Sequence, residues 1–223
     1  MQKKSRAADW AGKVLVLASA KGGAGKTTLA AAIAGELLIR GERVALLDAD
    51  PQASGGLSQW HAAAEGLEGL KGAELHREAG ERAAGLAQTL AQKGAVVVVD
   101  AAGSLTRTTL ALIDRADLVL VPTRPGGLDA ARAVEMVQLV KQASPKARCA
   151  VVLNATTRSL LLEHIRGELE EVGVQVLRAE VGQRVAFCVA QLSGTAPAFL
   201  GGGAAAARAE IEVLVDELQK VLR

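Results

Sequence analysis

The chain has 223 residues, half of them apolar, with aromatic residues at only 2% and a formal net charge of +2. That length holds one large α/β domain with a well-buried sheet and is too short for two ordinary domains plus a linker. The charge, with a sequence pI of about 8.6, is too mild to announce a dedicated nucleic-acid protein and does not exclude one, because distribution over the surface matters more than the sum.

A core so poor in aromatics must be built from Val, Leu, Ile and Ala, which suits parallel strands covered by helices. Cys149 and Cys188 stand alone, without CxxC spacing, and read as small core residues in a reducing compartment. No signal-type apolar segment follows the basic start, and no apolar run reaches the length of a membrane span. The expectation is a cytoplasmic protein.

Residues 1–10, with Lys3, Lys4 and Arg6, read as a flexible basic leader before a single domain over 11–223, Trp10 marking where packing begins. Val14-Leu15-Val16-Leu17 is a buried strand, and after a glycine-rich loop the spacing predicts a helix over 29–40, ending near Gly41. A second strand over 43–47 runs into Asp48-Ala49-Asp50-Pro51-Gln52. Residues 53–78 are the least readable, with a short helix near Trp60 and His61 and a weak strand over 74–76. A helix over 81–92 leads to 95–100, whose four consecutive valines fit a strand covered on both faces.

Ala101-Ala102-Gly103-Ser104 turns the chain into a helix through Asp114, and 118–121 is a further buried strand. Pro122 to Asp129, with two prolines and two glycines, reads as a shaped loop. Then come a helix over 130–143, a strand over 149–154, a helix over 160–172, a short strand over 174–177 and a short helix over 184–191. Gly201-Gly202-Gly203 precedes a final helix. Strands alternate with helices throughout, so the fold class is α/β: a single-domain, doubly wound, mostly parallel sheet with helices on both faces.

The stretch Ser19-Ala20-Lys21-Gly22-Gly23-Ala24-Gly25-Lys26-Thr27-Thr28 lies between a strand and a helix. Its glycines let backbone N–H groups turn inward, and the helix behind directs its positive end at the same place, so it reads as a phosphate cradle. Lys26 reaches terminal phosphates and the Thr27 hydroxyl is placed for Mg²⁺. The strict GxxxxGK[ST] pattern fails at Ala20, and a second lysine, Lys21, precedes the double glycine. Asp100 ends its strand at the edge where Asp48 and Asp50 end theirs, which is where open α/β sheets bind ligands. Together these form an ATP site: Asp100 holds Mg²⁺ through water, and one of Asp48 and Asp50 positions the attacking water. Asp48 is otherwise an outer-shell acid of the metal or a purely structural one.

These residues resemble the deviant Walker A ATPases of ParA/MinD type. Lys21 to Thr28 is similar to the family's KGGxGKTT, VALLDADPQ at 44–52 to its second motif, and VVVDAAGSL at 97–105 to its Walker B segment. DLVLVPTRPGGLD at 117–129 and Gln183-Arg184-Val185-Ala186-Phe187 are similar to later segments, the last to one of small plasmid-partition ATPases lacking an N-terminal helix-turn-helix. The resemblance implies that Gly22, Gly23, Ala24, Gly25, Lys26, Thr27 and Thr28 cradle the nucleotide, Thr28 at the α-phosphate, and that Asn154 contacts the adenine. It implies that Asp50 activates water and that Lys21 reaches the partner's phosphates in an ATP-bound homodimer. A cation at the mouth of the cradle, with no obvious partner in its own chain, suits that role.

Branches separate by what is missing. The cysteines fall in the wrong motifs for an iron–sulfur reductase, there are no tyrosines for an autokinase, and no substrate pocket is evident for a metabolic ligase. The final helix puts Ile211, Leu214, Val215, Leu218 and Leu222 on one face, but its acids offset its cations, so it reads as packed on its own domain and no membrane role is expected. The remaining branch implies non-specific DNA binding in the ATP state, nucleoid association, and release by a ParB-like or other cargo adaptor. Candidates for phosphate contact are Arg158, Arg166, Arg178, Arg184, Arg208, Lys220 and Arg223. The cargo is a plasmid or chromosome; the alternative is a protein assembly such as a carboxysome or chemosensory cluster.

Overall fold

A strand of four valines sends alternate side chains to opposite faces, so it needs apolar cover on both. Val96 and Val98 lie in one buried cluster, Val97 and Val99 in another. The computed structural model describes residues 10–50, 56–62, 70–104, 106–157 and 161–223. Its strands are β1 (Val14–Leu17), β2 (Val44–Asp48), β3 (Glu74–Arg77), β4 (Val96–Asp100), β5 (Leu118–Thr123), β6 (Arg148–Thr156) and β7 (Val176–Gly182). They form a sheet in the order β3-β2-β4-β1-β5-β6-β7 with every pairing parallel.

The helices are α1 (Lys26–Ile39), α2 (Leu57–Ala62), α3 (Glu81–Gln92), α4 (Arg107–Asp114), α5 (Gly127–Ala143), α6 (Leu161–Glu171), α7 (Val185–Leu192) and α8 (Ala205–Leu222). One face of the sheet packs against Leu29, Ile33 and Leu37 of α1 and Ile211, Leu214, Val215 and Leu218 of α8. The other packs against Leu90 of α3, Leu112 and Ile113 of α4, Met136 and Val140 of α5, and Ile165 of α6. The doubly wound parallel sheet is therefore as expected, and α8 buries the apolar face predicted for it.

Several boundaries differ from the sequence pattern. α1 begins at Lys26, three residues before the apolar periodicity starts, because the loop's last residues already form its first turn. β5 continues through Pro122 and Thr123, where it has run past the last β1 partner at Leu17↔Leu120, so the missing N–H of Pro122 disrupts no ladder on that side. α5 starts at Gly127, not 130, so Leu128 and Asp129 belong to its first turn. β7 spans seven residues rather than four, since Arg178 and Glu180 on an edge strand read as polar loop. Trp10 is 1% exposed and belongs to the core, as expected of the residue marking where packing begins. Residues 1–9, Pro51, Gln52, Leu105 and Arg158 lie outside the described residues.

Three further expectations are corrected. Cys149 is largely buried, and burial pushes its thiol up to about 12, but Cys188 is exposed on α7 and not a core residue. Arg166 is buried: it donates to the Leu177 carbonyl and, at 2.7 Å, to Glu180, tying α6 to β7. Arg184 is paired with Glu210. On the outer side of β7 the α8 carboxylates take backbone donors, Glu217 from Arg178 N and Ala179 N and Glu210 from Gly182 N.

Candidate functional site

The loop between β1 and α1 sits at the C-terminal ends of β4, β1 and β5, beside the crevice between β1 and β5, whose outgoing connections run to opposite sides of the sheet, toward β2 and toward β6. Gly25, the residue before α1, has φ +95, a left-handed conformation that favours glycine. A Cβ there would also stand 2.1 Å from Asn154 Nδ2. Gly103, beyond β4, also approaches the loop: its Cβ would be 3.0 Å from Gly22 N. Two separate strand ends thus press glycine or amide against the same loop and shape it.

Asn154, 7% exposed, donates from Nδ2 to the Ala24 carbonyl at 2.7 Å. Its aim follows from a register irregularity in β6 beside Ala155, which has φ 52. In this geometry the Asn154 amide braces the loop instead of facing outward.

Lys26, 7% exposed, donates from Nζ to Ser19 Oγ at 3.1 Å. Burial lowers its pKa, while the carboxylates of Asp100 and Asp50 act in the opposite direction. Thr27 Oγ1 donates to Asp100 Oδ2 at 2.6 Å. Burial is also the main reason that the Asp100 carboxyl is raised to about 6; the Thr27 hydrogen bond and Lys26 oppose the shift, and Asp48 and Asp50 add to it. Asp100 Oδ1 is buried with no hydrogen-bond partner among the described residues. A desolvated carboxylate with a free oxygen, beside a threonine hydroxyl, suits a hard cation with oxygen ligands such as Mg²⁺.

Asp48 is engaged differently. Its Oδ1 accepts from Asp50 N at 3.2 Å, and its Oδ2 accepts from Ser58 N at 3.1 Å and from the Ser58 hydroxyl. It clamps the start of α2 to the end of β2. Asp50, half-buried, is close enough to influence both Lys26 and Asp100. Thr28 sits in the first turn of α1. Lys21 departs from expectation: its side chain is 57% exposed, yet Nζ stands 3.6 Å from Asp129 Oδ1 at the start of α5, so it has a partner in its own chain.

The structure thus brings Lys26, Thr27, Asp50 and Asp100 together behind the glycine loop, places Asp48 in a clamp, and turns Lys21 toward α5. Ser19, Ser58, Gly103 and Asp129 are not legible as site residues in the sequence. Gly103 alone carries a signal, as a glycine just past a strand-end aspartate.

Residues 15–70 match the CobQ/CobB/MinD/ParA nucleotide binding domain family. The chain is also 35% identical over 184 residues, 78% of its own length and 80% of the relative's, to Protein ParA of Rhizobium radiobacter. The chain belongs to the ParA/MinD family. It is 33% identical over 210 residues, 92% of its length and 95% of the relative's, to Maintenance of carboxysome distribution protein A of Halothiobacillus neapolitanus. Among solved structures, the septum site-determining protein MinD of Pyrococcus horikoshii, complexed with Mg-ADP, shares the fold with a TM-score of 0.72, covering 95% of this chain and 98% of that one at 17% identity. ParA/MinD proteins are nucleotide-binding ATPases of partition and positioning systems.

Proposed function

We propose that this protein is a Mg²⁺-dependent ATPase that dimerises on ATP, binds DNA without sequence preference in that state, and is released by adaptor-stimulated hydrolysis to segregate plasmid or chromosome cargo. The observation that carries the ATPase reading is the buried Asp100 with its unpartnered Oδ1, joined to Thr27 and close to Lys26. Mg-ATP supplies the phosphoryl group and the cation that compensates its charge.

The chain's own residues do the rest. Loop amides of Gly22, Gly23, Ala24 and Gly25 and the α1 N-terminus bind phosphate, with Thr28 at the α-phosphate. Lys26 leaves its Ser19 hydrogen bond to neutralise terminal phosphate charge. Thr27 and Asp100 hold Mg²⁺, and Asp48, through its hold on Asp50 N and Ser58, keeps the acidic turn in place beside it. Asp50 orients the attacking water and draws its proton. Lys21 exchanges Asp129 for the facing nucleotide of a second copy, which makes a single chain incomplete for catalysis.

The length-spanning likeness to a carboxysome distribution protein favours a second reading for the cargo: the same cycle, positioning a protein assembly. Light scattering with ATP against ADP tests the core of the proposal. A mass doubling with ATP alone, accompanied by duplex binding that collapses with added salt, is expected; a monomer with both nucleotides overturns it.

A further inference from the structure

The sequence offers cations of the C-terminal half for DNA, but the fold withdraws two of them and scatters others among acids. Arg166 is buried and Arg184 is paired with Glu210, while Arg178, Arg208 and Lys220 are exposed on β7 and α8 as separate charges rather than a row. A different surface collects positive charge. In sheet order from β3 to β6, every strand has a cation at or within three residues of its first residue: Lys71, Arg43, Lys93, Lys13, Arg115, then Lys146 and Arg148. All lie at the N-terminal edge of the sheet, opposite the nucleotide site. With strands about 4.8 Å apart, the row is about 24 Å long.

From β3 to β5 the acids on this edge are engaged or buried; Glu170 and Glu171, at the end of α6, lie exposed beyond β6 beside β7. Asp117 accepts from Lys13 at 3.0 Å, Glu74 pairs with Arg43 at 2.7 Å, Asp114 pairs with Arg115 at 3.4 Å, and Glu42 is buried. That leaves Lys71, Lys93, Lys146 and Arg148 exposed, with no ion pair or hydrogen bond from their side chains among the described residues. Helix C-termini also meet here, and cations are favoured near them; yet the contacts to terminal carbonyls are made by Arg43, to Lys93 O, and by Lys141, to Gly173 O, not by these four. Between Lys146, Arg148 and Gln92 opens a cleft of about 700 Å³.

We infer that this edge is the surface that binds DNA, its four uncompensated cations contacting phosphates of a duplex. The inference rests on the DNA reading proposed above and assigns its site. A straight row of flexible cations tracks a phosphate backbone and reads no bases. Nor is single strand favoured: the aromatic residues Trp10, Trp60 and Phe187 are buried and Phe199 lies beside α1, so among the described residues no stacking platform faces this edge. Because the nucleotide edge faces the second copy, both basic edges of a dimer stay open, and the two rows multiply a weak affinity.

The test is binding of a random-sequence duplex by the full chain with ATP, across a salt titration, comparing wild type with the quadruple variant K71Q/K93Q/K146Q/R148Q. Affinity should fall at least about tenfold, and the slope of log affinity against log salt should become shallower by about 0.9 for each phosphate that the variant no longer neutralises. ATPase rate and ATP-dependent dimerisation should be unchanged, and R208Q/K220Q should bind like wild type. If the quadruple variant keeps full affinity, or R208Q/K220Q loses it, the edge is not the DNA surface. If the four changes abolish binding to phosphatidylserine vesicles and spare the duplex, the surface meets membrane and the inference falls. A wild-type dimer that binds no duplex even at low salt overturns the DNA reading itself.

Discussion

The Lys21 ammonium stands 3.6 Å from the Asp129 carboxylate, across the mouth of the phosphate loop and within one chain. Both groups are partly exposed, so the pair is worth at most about 1 kcal/mol. It nonetheless occupies the cation assigned to the facing nucleotide. Asp129→Asn should lower the ATP concentration for half-maximal dimerisation by up to about fivefold, read by light scattering. An unchanged midpoint would show that the pair does not restrain Lys21.

Removing Lys21 acts in the other direction. Lys21→Ala should leave nucleotide binding by the monomer intact and abolish ATP-dependent dimerisation, so fluorescent-nucleotide binding and light scattering should separate.

Lys26 and Asp50 should also differ in kind. Lys26→Ala removes the buried cation behind the loop and should eliminate nucleotide binding in calorimetry. Asp50→Ala should bind ATP and dimerise while hydrolysis falls at least about a hundredfold. Normal turnover in that variant would mean that another group positions the water.

Asp100 predicts a pH dependence. Its folded pKa of about 6 lies above the ordinary carboxyl value of 3.8, so between about pH 4 and pH 6 the folded state binds more protons than the unfolded one. Stability of the nucleotide-free protein therefore declines as pH rises through that window, by up to about 3 kcal/mol from this group. Urea denaturation of Asp100→Asn at several pH values should show that decline missing relative to wild type. Saturating Mg-ATP should suppress it in wild type, by satisfying the carboxylate.

Asn154 and Gly25 make a paired prediction. Asn154→Ala removes one hydrogen bond to the loop, about 1 kcal/mol, and should weaken nucleotide binding several-fold without changing the fold. Gly25→Ala should be far worse, and should remain so in the Asn154→Ala background, because the left-handed φ of +95 persists after the clash is relieved. Nucleotide titrations of the three variants decide it.

What can be read from the chain is the chemistry encoded locally. The loop from Lys21 to Thr28 and the valines of β4 announce themselves within a few residues, because backbone freedom and two-sided burial act at that range. The partner of Lys21 cannot be read: Asp129 lies far along the chain, in a stretch whose glycines and prolines mimic a loop although β5 holds Pro122 and the start of α5 holds Gly126 and Gly127. Arg166 reads as surface charge because its compensation, Glu180 and the Leu177 carbonyl, exists only once β7 is placed. Asn154 is assigned in the sequence to the adenine by resemblance, but the irregularity at Ala155 beside which it meets Ala24 arises in the pairing with β7.

The carboxylates of Glu217 and Glu210 on the outer side of β7 also bear on assembly. An edge strand grows a sheet by offering unpaired amides to another chain, and here amides of Arg178, Ala179 and Gly182 are already held by the chain's own last helix. At the far edge, β3 is four residues long and carries Glu74, His76 and Arg77. Copies of this protein should therefore join through faces and loops, never as a continuous ribbon of strands.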